Sequence, residues 1–138
     1  MRNPRVTTFG VASPEVKNDL RQQLGALGEE IAAEHLVHRG FRIIERNYRT
    51  RWGELDIVAF DGSTLCFSEV KTRRLAGSGS PFEAIHGGKQ TQVRKIAASW
   101  LAQRKDRPYA DVIRFDAIGV TFDLAGRLVS IEHLEGAF

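Results

Sequence analysis

Four charged residues, Glu54, Asp56, Glu69 and Lys71, stand at spacings that a single β-hairpin would bring together. Residues 55–60 and 65–70 are apolar-rich runs flanking Gly62-Ser63, and glycine at the first central position suits a two-residue type II′ turn. With Asp61 facing Thr64, paired residue numbers sum to 125, which sets Asp56 opposite Glu69 and Glu54 opposite Lys71 on one face. Directly opposed side chains have Cβ atoms about 4.5–5.5 Å apart, where two carboxylates repel. A divalent cation would relieve the repulsion. Two carboxylates, a nearby main-chain carbonyl and water make an oxygen-rich shell of the kind that Mg²⁺ or Mn²⁺ takes. The alternative, a surface hairpin with a Glu54–Lys71 ion pair, leaves Asp56 against Glu69 unexplained.

Such a pair needs a rigid support. Val58, Phe60, Leu65 and Phe67 fall on the charged face, and Leu55, Ile57 and Ala59 with Cys66, Ser68 and Val70 on the other, so both faces are covered and the hairpin belongs in the centre of a sheet. Ahead of it, Leu20, Leu24, Leu27 and Ile31 repeat at helical spacing, predicting a helix from 18 or 19 to 39 that ends at His38-Arg39-Gly40. Its Gly25 and Gly28 mark close packing. Glu29 shares a face with Ala32, Ala33 and Leu36, as either a site residue or a rim glutamate. A strand over 41–49 precedes the hairpin. A second helix over 89–104 carries the stripe Val93, Ile96, Ala97, Trp100 and Leu101, and two strands, 111–122 and 127–134, complete the order α-β-β-β-α-β-β. The glycine- and serine-rich stretch 73–88 reads as a connection with at most a short helix over 82–85. Residues 1–18 read as a flexible tail and 19–138 as one domain. Lys89 stands at a helix N-terminus, where a cation opposes the helix dipole by about 0.3–1 kcal/mol unless a carboxylate or phosphate offsets it or the side chain reaches solvent.

Composition narrows the chemistry. Cys66 is the only cysteine, excluding an intrachain disulfide and a cysteine zinc site, and it reads as a core thiol. His35 and His38 lack a third ligand at metal spacing, and His86 and His133 are isolated. There is no Ser-His-Asp order, phosphate-binding Gly-Lys-Ser/Thr loop or dinucleotide fingerprint. No apolar run approaches the roughly 18 residues of a membrane span, and the N-terminus lacks a signal-peptide stretch, so no membrane partner and a cytoplasmic location are expected. The net charge of +3 is small but unevenly spread: residues 42–51 carry +3 and 89–110 carry +5, whereas 52–70 carry −4 and 111–138 carry −3. A cationic rim around an acidic centre suits an enzyme that holds phosphates while chelating a metal.

Asp56, Glu69 and Lys71, in the form D-x₁₂-E-x-K behind a glutamate-bearing helix, resemble the PD-(D/E)XK nuclease superfamily. With Gly25-x-x-Gly28-Glu29-x-x-Ala32, Arg46-Asn47-x-Arg49, Gly53-Glu54-Leu55-Asp56, Glu69-Val70-Lys71 and Lys89, the chain looks like the YraN family, which is similar to archaeal Holliday-junction resolvases. The resemblance implies a restriction-endonuclease-like α/β fold with a mixed central sheet flanked by helices. It implies that Asp56, Glu69 and the Val70 carbonyl ligate Mg²⁺ or Mn²⁺, that Lys71 orients or activates the attacking water, and that Glu29 completes the catalytic set and in some members the metal shell. Leu55 stands where the motif's proline would be. Arg46, Arg49, Arg51, Arg73, Arg74 and Lys89 would hold a nucleic-acid backbone, DNA rather than RNA and branched or flapped in form, and a homodimer is implied by the resolvase likeness. The alternatives are a non-catalytic nucleic-acid-binding module and a metal-stabilised interaction protein.

Overall fold

Helical spacing near the start of the chain becomes α1 (Pro14–His38) in the computed structural model, which describes residues 14–75 and 87–138. Proline suits the first turn of a helix, where its missing N–H costs nothing. The helix therefore takes in Pro14–Asn18, which the sequence reading placed in the tail; residues 1–13 lie outside the described residues, as does the short helix expected over 82–85. The buried stripe runs through Leu24, Gly28, Ala32, Ala33 and Leu36, while Leu20 and Leu27 stay exposed. At the far end Gly40 takes φ +95°, Gly40 N–H donates to Val37 C=O and Phe41 N–H to Leu36 C=O. This closes the helix as a Schellman motif, with Phe41 and Leu36 in the same core.

Strands β1 (Arg42–Thr50), β2 (Gly53–Phe60) and β3 (Thr64–Arg74) follow, then α2 (Gly87–Gln103), β4 (Val112–Phe122) and β5 (Leu128–Leu134). The element order and mixed α/β class are as expected. The five strands lie in sequence order, β1-β2-β3-β4-β5, antiparallel except for the β3·β4 pair, which is parallel over Thr64↔Val112 to Arg74↔Phe122. The hairpin β2·β3 is thus central, with β3 the middle strand. Among the described residues no helix is long and apolar enough to cross a membrane.

One helix covers each face. Leu24, Ala32 and Leu36 of α1 pack on Ile57, Ala59, Cys66, Ile118, Val120 and Phe122, and Val93, Ile96, Ala97 and Trp100 of α2 pack on Leu55, Val58, Leu65 and Phe67. The approach of α1 is unusually close at one point: a Cβ on Gly28 would lie 2.0 Å from Thr72 Oγ1. Any side chain there would force Thr72 to shift. Gly25, by contrast, has open space around it and no packing role.

Candidate active site where the β2–β3 ladder ends

The hairpin keeps the predicted register. Ile57↔Ser68, Val58↔Phe67, Ala59↔Cys66 and Phe60↔Leu65 all sum to 125, and Gly62 takes φ +103° as the first central residue of the turn. The Asp61 carboxylate adds a local clasp, accepting from Ser63 and Thr64 N–H. The ladder stops one pair short of the acidic residues. Val70 N–H donates instead to Asp56 Oδ2 at 2.7 Å, so the carboxylate takes the place of a strand partner.

The cause lies one residue to either side. Leu55 packs on the α2 side and Ile57 on the α1 side, so the alternation of faces breaks at Asp56, and the expected grouping of Leu55 with Ile57 and Ala59 fails. Across from it, between the pairs Arg46↔Ile57 and Tyr48↔Leu55, Asn47 takes φ +56°, a left-handed conformation that asparagine tolerates better than most residues. The kink turns Asp56 inward, where it is only 7% exposed. Burial is the main reason that its carboxyl is pushed up to about 7; the Val70 hydrogen bond opposes this, and the charges of Glu29, Glu54 and Glu69 add to it. Cross-strand repulsion from Glu69, which the sequence reading put first, is the smallest of these effects.

Glu29 therefore reaches the site, set there by the Gly28–Thr72 contact one residue earlier. Its carboxyl is also raised, by burial and by Glu54, against the pull of Arg46, Arg49 and a hydrogen bond from Asn47. Glu69 is buried, with Lys71 Nζ 3.3 Å from its Oε1. Glu54 does not meet Lys71 as expected. It pairs with Arg49 across β1·β2, at 3.3 Å, because the β2·β3 ladder has ended before reaching it.

Several of the cations expected to hold nucleic acid have partners within the chain. Arg46 binds Glu30 at 3.1 Å, Arg51 stacks on Trp52 at 4.7 Å, and Arg74 donates to the Leu124 carbonyl. Arg49, Arg51 and Arg74 are exposed, Arg46 and Arg73 half-buried, and the Lys89 side chain lies outside the described residues. Among the described residues no three His, Cys, Asp or Glu side chains are grouped so as to hold an ion by themselves.

Residues 28–120, which include Glu29, Asp56, Glu69 and Lys71, match the model of the uncharacterised protein family UPF0102. The chain belongs to the UPF0102 family. This bears out the YraN resemblance at the level of the family. Relatives include the UPF0102 proteins of Chlorobaculum tepidum, 46% identical over 85% of this chain and 92% of its own length, and of Frankia alni, 45% identical over 86% and 96%. That of Geobacter metallireducens is 44% identical over 85% and 93%.

A second polar cluster in this UPF0102 chain escaped the sequence reading. Asp116, fully buried on β4, accepts from Arg114 Nε and Nη2 at 2.9 Å, from Cys66 Sγ at 3.1 Å and from Gly136 N–H at 3.1 Å, and bonds His133 Nε2 at 2.7 Å. His133 Nδ1 in turn lies 2.9 Å from His35 Nε2, so His133 is not isolated. These bonds hold the Asp116 carboxyl far below its usual range despite burial. Cys66 is a core thiol as expected, its ionisation pushed far up by burial. The signal was present: Arg114 and Asp116 occupy inward positions ahead of Ile118, Val120 and Phe122, where a paired charge is the only tolerable one.

Proposed function

We propose that this protein is a metal-dependent nuclease that hydrolyses phosphodiester bonds of nucleic acid, with branched or flapped DNA as the substrate class. The observation that supports it is a buried carboxyl, Asp56, poised near neutrality where the β2·β3 ladder ends and raised further by the charges of Glu29, Glu54 and Glu69. Folding alone has no use for such a grouping, and displaced titration is a mark of functional sites.

The donors fit a hard divalent cation. Mg²⁺ is ordinarily held by one or two carboxylates with the remaining positions left to water and substrate, and Asp56, Glu69 and the Val70 carbonyl are the donors available. Glu29, outside any three-carboxylate group, acts through charge on Asp56. Bound Mg²⁺ or Mn²⁺ would neutralise charge at the phosphate and acidify a water. Lys71, beside Glu69, would orient that water. Asp56 must lose its proton before it can ligate, so the metal-free protein should bind the ion more tightly as pH rises through about 7. Arg49, Arg51 and Arg74 are cations in reach of solvent that suit backbone phosphates, contacts that position a substrate without reading its sequence. The second reading is a nucleic-acid-binding module without catalysis, which the same exposed cations would serve.

Linear, single-stranded, flapped and four-way DNA incubated with Mg²⁺ and with Mn²⁺ separates the two. Cleavage of the branched forms is expected. Binding without cleavage under either metal would select the module, and neither binding nor cleavage would refute both.

A further inference from the structure

The outer edge of β5 takes no part in the site. β5 ends the sheet, and among the described residues only β4 pairs with it. An open edge is a row of unused N–H and C=O groups that proteins normally blunt with lysine, proline or a bulge. β5 contains neither residue, and its one register irregularity is confined to the Phe122↔Leu128 end. Leu128, Val129, Ile131 and Leu134 are instead exposed at 47, 52, 37 and 44%, with Leu124 at 67% in the preceding turn. Alternation along a strand puts these side chains on both faces of the edge.

We propose that β5 pairs antiparallel with β5 of a second copy, across a two-fold axis through Ile131, and joins the two five-stranded sheets into one. The strand's own sequence names this occupant. Full antiparallel overlap sets Ile131 against itself, Leu128 against Leu134 and Ser130 against Glu132, each pair occurring twice except the first. Immediately beyond the strand, Arg127 meets Glu135, again twice. Both side chains are accessible, at 81 and 47%. Their present partners are Asp123 at 3.5 Å for Arg127, and Arg39 at 3.3 Å and Arg114 at 3.6 Å for Glu135. Exposed pairs of this kind are weak and exchange readily. Other registers lose the match: a shift of two in one direction opposes Glu132 to itself, and in the other sets Leu128 against Glu132. His133 would face Val129, but its ring stays turned inward to Asp116 and His35.

The register makes a covalent test available, because the sole native cysteine, Cys66, is buried. In an Ile131→Cys variant the two thiols would sit on directly opposed residues, about 4.5–5.5 Å apart at Cα, within disulfide reach. In Val129→Cys they would be displaced by four residues along the strand, about 13 Å. Mild oxidation should therefore link Ile131→Cys and leave Val129→Cys unlinked. Sedimentation equilibrium of the wild type should give twice the 15.4 kDa chain mass. Arg127→Glu, an exposed substitution whose folding circular dichroism can verify, should shift the population to monomer, and adding Glu135→Arg should restore the dimer. A wild type that stays at the chain mass at every concentration overturns the proposal. So does equal cross-linking of the two cysteine variants, or a dimer indifferent to Arg127→Glu. A monomer whose β5 amides resist hydrogen exchange overturns it in favour of another segment of the same chain lying on the edge.

Discussion

Replacing Asp56 by Asn should make the protein more stable at pH 8 than the wild type, by an amount that shrinks as the pH is lowered. The carboxyl ionises at about 7 in the folded chain against an ordinary value of 3.8. Below 3.8 both folded and unfolded chains hold the proton. Between the two values the unfolded chain releases it and the folded chain does not, so stability falls by about 1.4 kcal/mol per pH unit and levels off above 7. The total loss is up to about 4 kcal/mol, and about 3 kcal/mol of it falls between pH 5 and 8. Asparagine keeps an oxygen for Val70 N–H, does not ionise, and offers its amide hydrogens to the neighbouring carboxylates. His35, whose value is lowered by burial and by His133, titrates with the opposite sign in this range. Its contribution is common to both proteins and cancels in their difference.

Urea unfolding of both proteins at pH 5 and pH 8, without metal, measures that difference directly. The mutant's advantage should grow by about 3 kcal/mol between the two, corresponding to roughly 10 °C in melting temperature for a chain of this length. A constant difference would mean that Asp56 is ionised normally and that the account of its burial is wrong. Mg²⁺ or Mn²⁺ at pH 8 should then narrow the mutant's advantage. It should stabilise the wild type by RT ln(1 + [L]/Kd), about 2.7 kcal/mol at a hundredfold excess over Kd, and the mutant far less. Equal responses would mean that Asp56 does not hold the ion.

Lys71→Ala should abolish DNA cleavage while leaving binding, measured by fluorescence anisotropy, within a few-fold, since one cation of several is lost; a parallel loss of both would make Lys71 a binding residue only. Gly28→Ala should destabilise the fold by about 1–3 kcal/mol, despite alanine's better helix propensity, because its Cβ meets the Thr72 hydroxyl, and adding Thr72→Ala should recover part of the loss. Asp116→Ala should cost about 3–5 kcal/mol in urea unfolding by leaving Arg114 and His133 without their buried partner. The wild-type contribution of Asp116 is fully present above 3.8 and is lost as pH falls toward its much lower folded value, so the gap between the two proteins should narrow in acid.

Much of this architecture was legible because local rules agreed with each other. The Gly62 turn fixed the hairpin register, the apolar stripe of α2 was read correctly, and two covered faces placed β2 and β3 in the middle of the sheet. The helix α1 was read less well. Leu27 counted as apolar in the pattern, yet the buried row passes through Gly28, since the contact with Thr72 is set by β3 and not by the helix. The Asp116 cluster joins α1, β3, β4 and the residues around β5, and no short-range pattern reports a contact between His35 and His133.

The site itself shows where alternation stops being a reliable guide. Asp56 and Glu69 were singled out by their spacing, but the energetic reason first given, two carboxylates face to face, is not the one that the fold provides. Strict alternation would have put Asp56 in a regular ladder, with its charge exchanged against Glu69 and Glu54 against Lys71. The left-handed Asn47 and the change of face between Leu55 and Ile57 instead open the ladder, sink Asp56 into the protein and give its carboxylate a main-chain donor. Desolvation then does what repulsion was expected to do, and does more of it. Because the kink on β1 is opposite the acid on β2, straightening one should return the other to solvent. The position of the Asp56 titration is thus tied to the backbone at Asn47, a residue whose side chain also bonds Glu29.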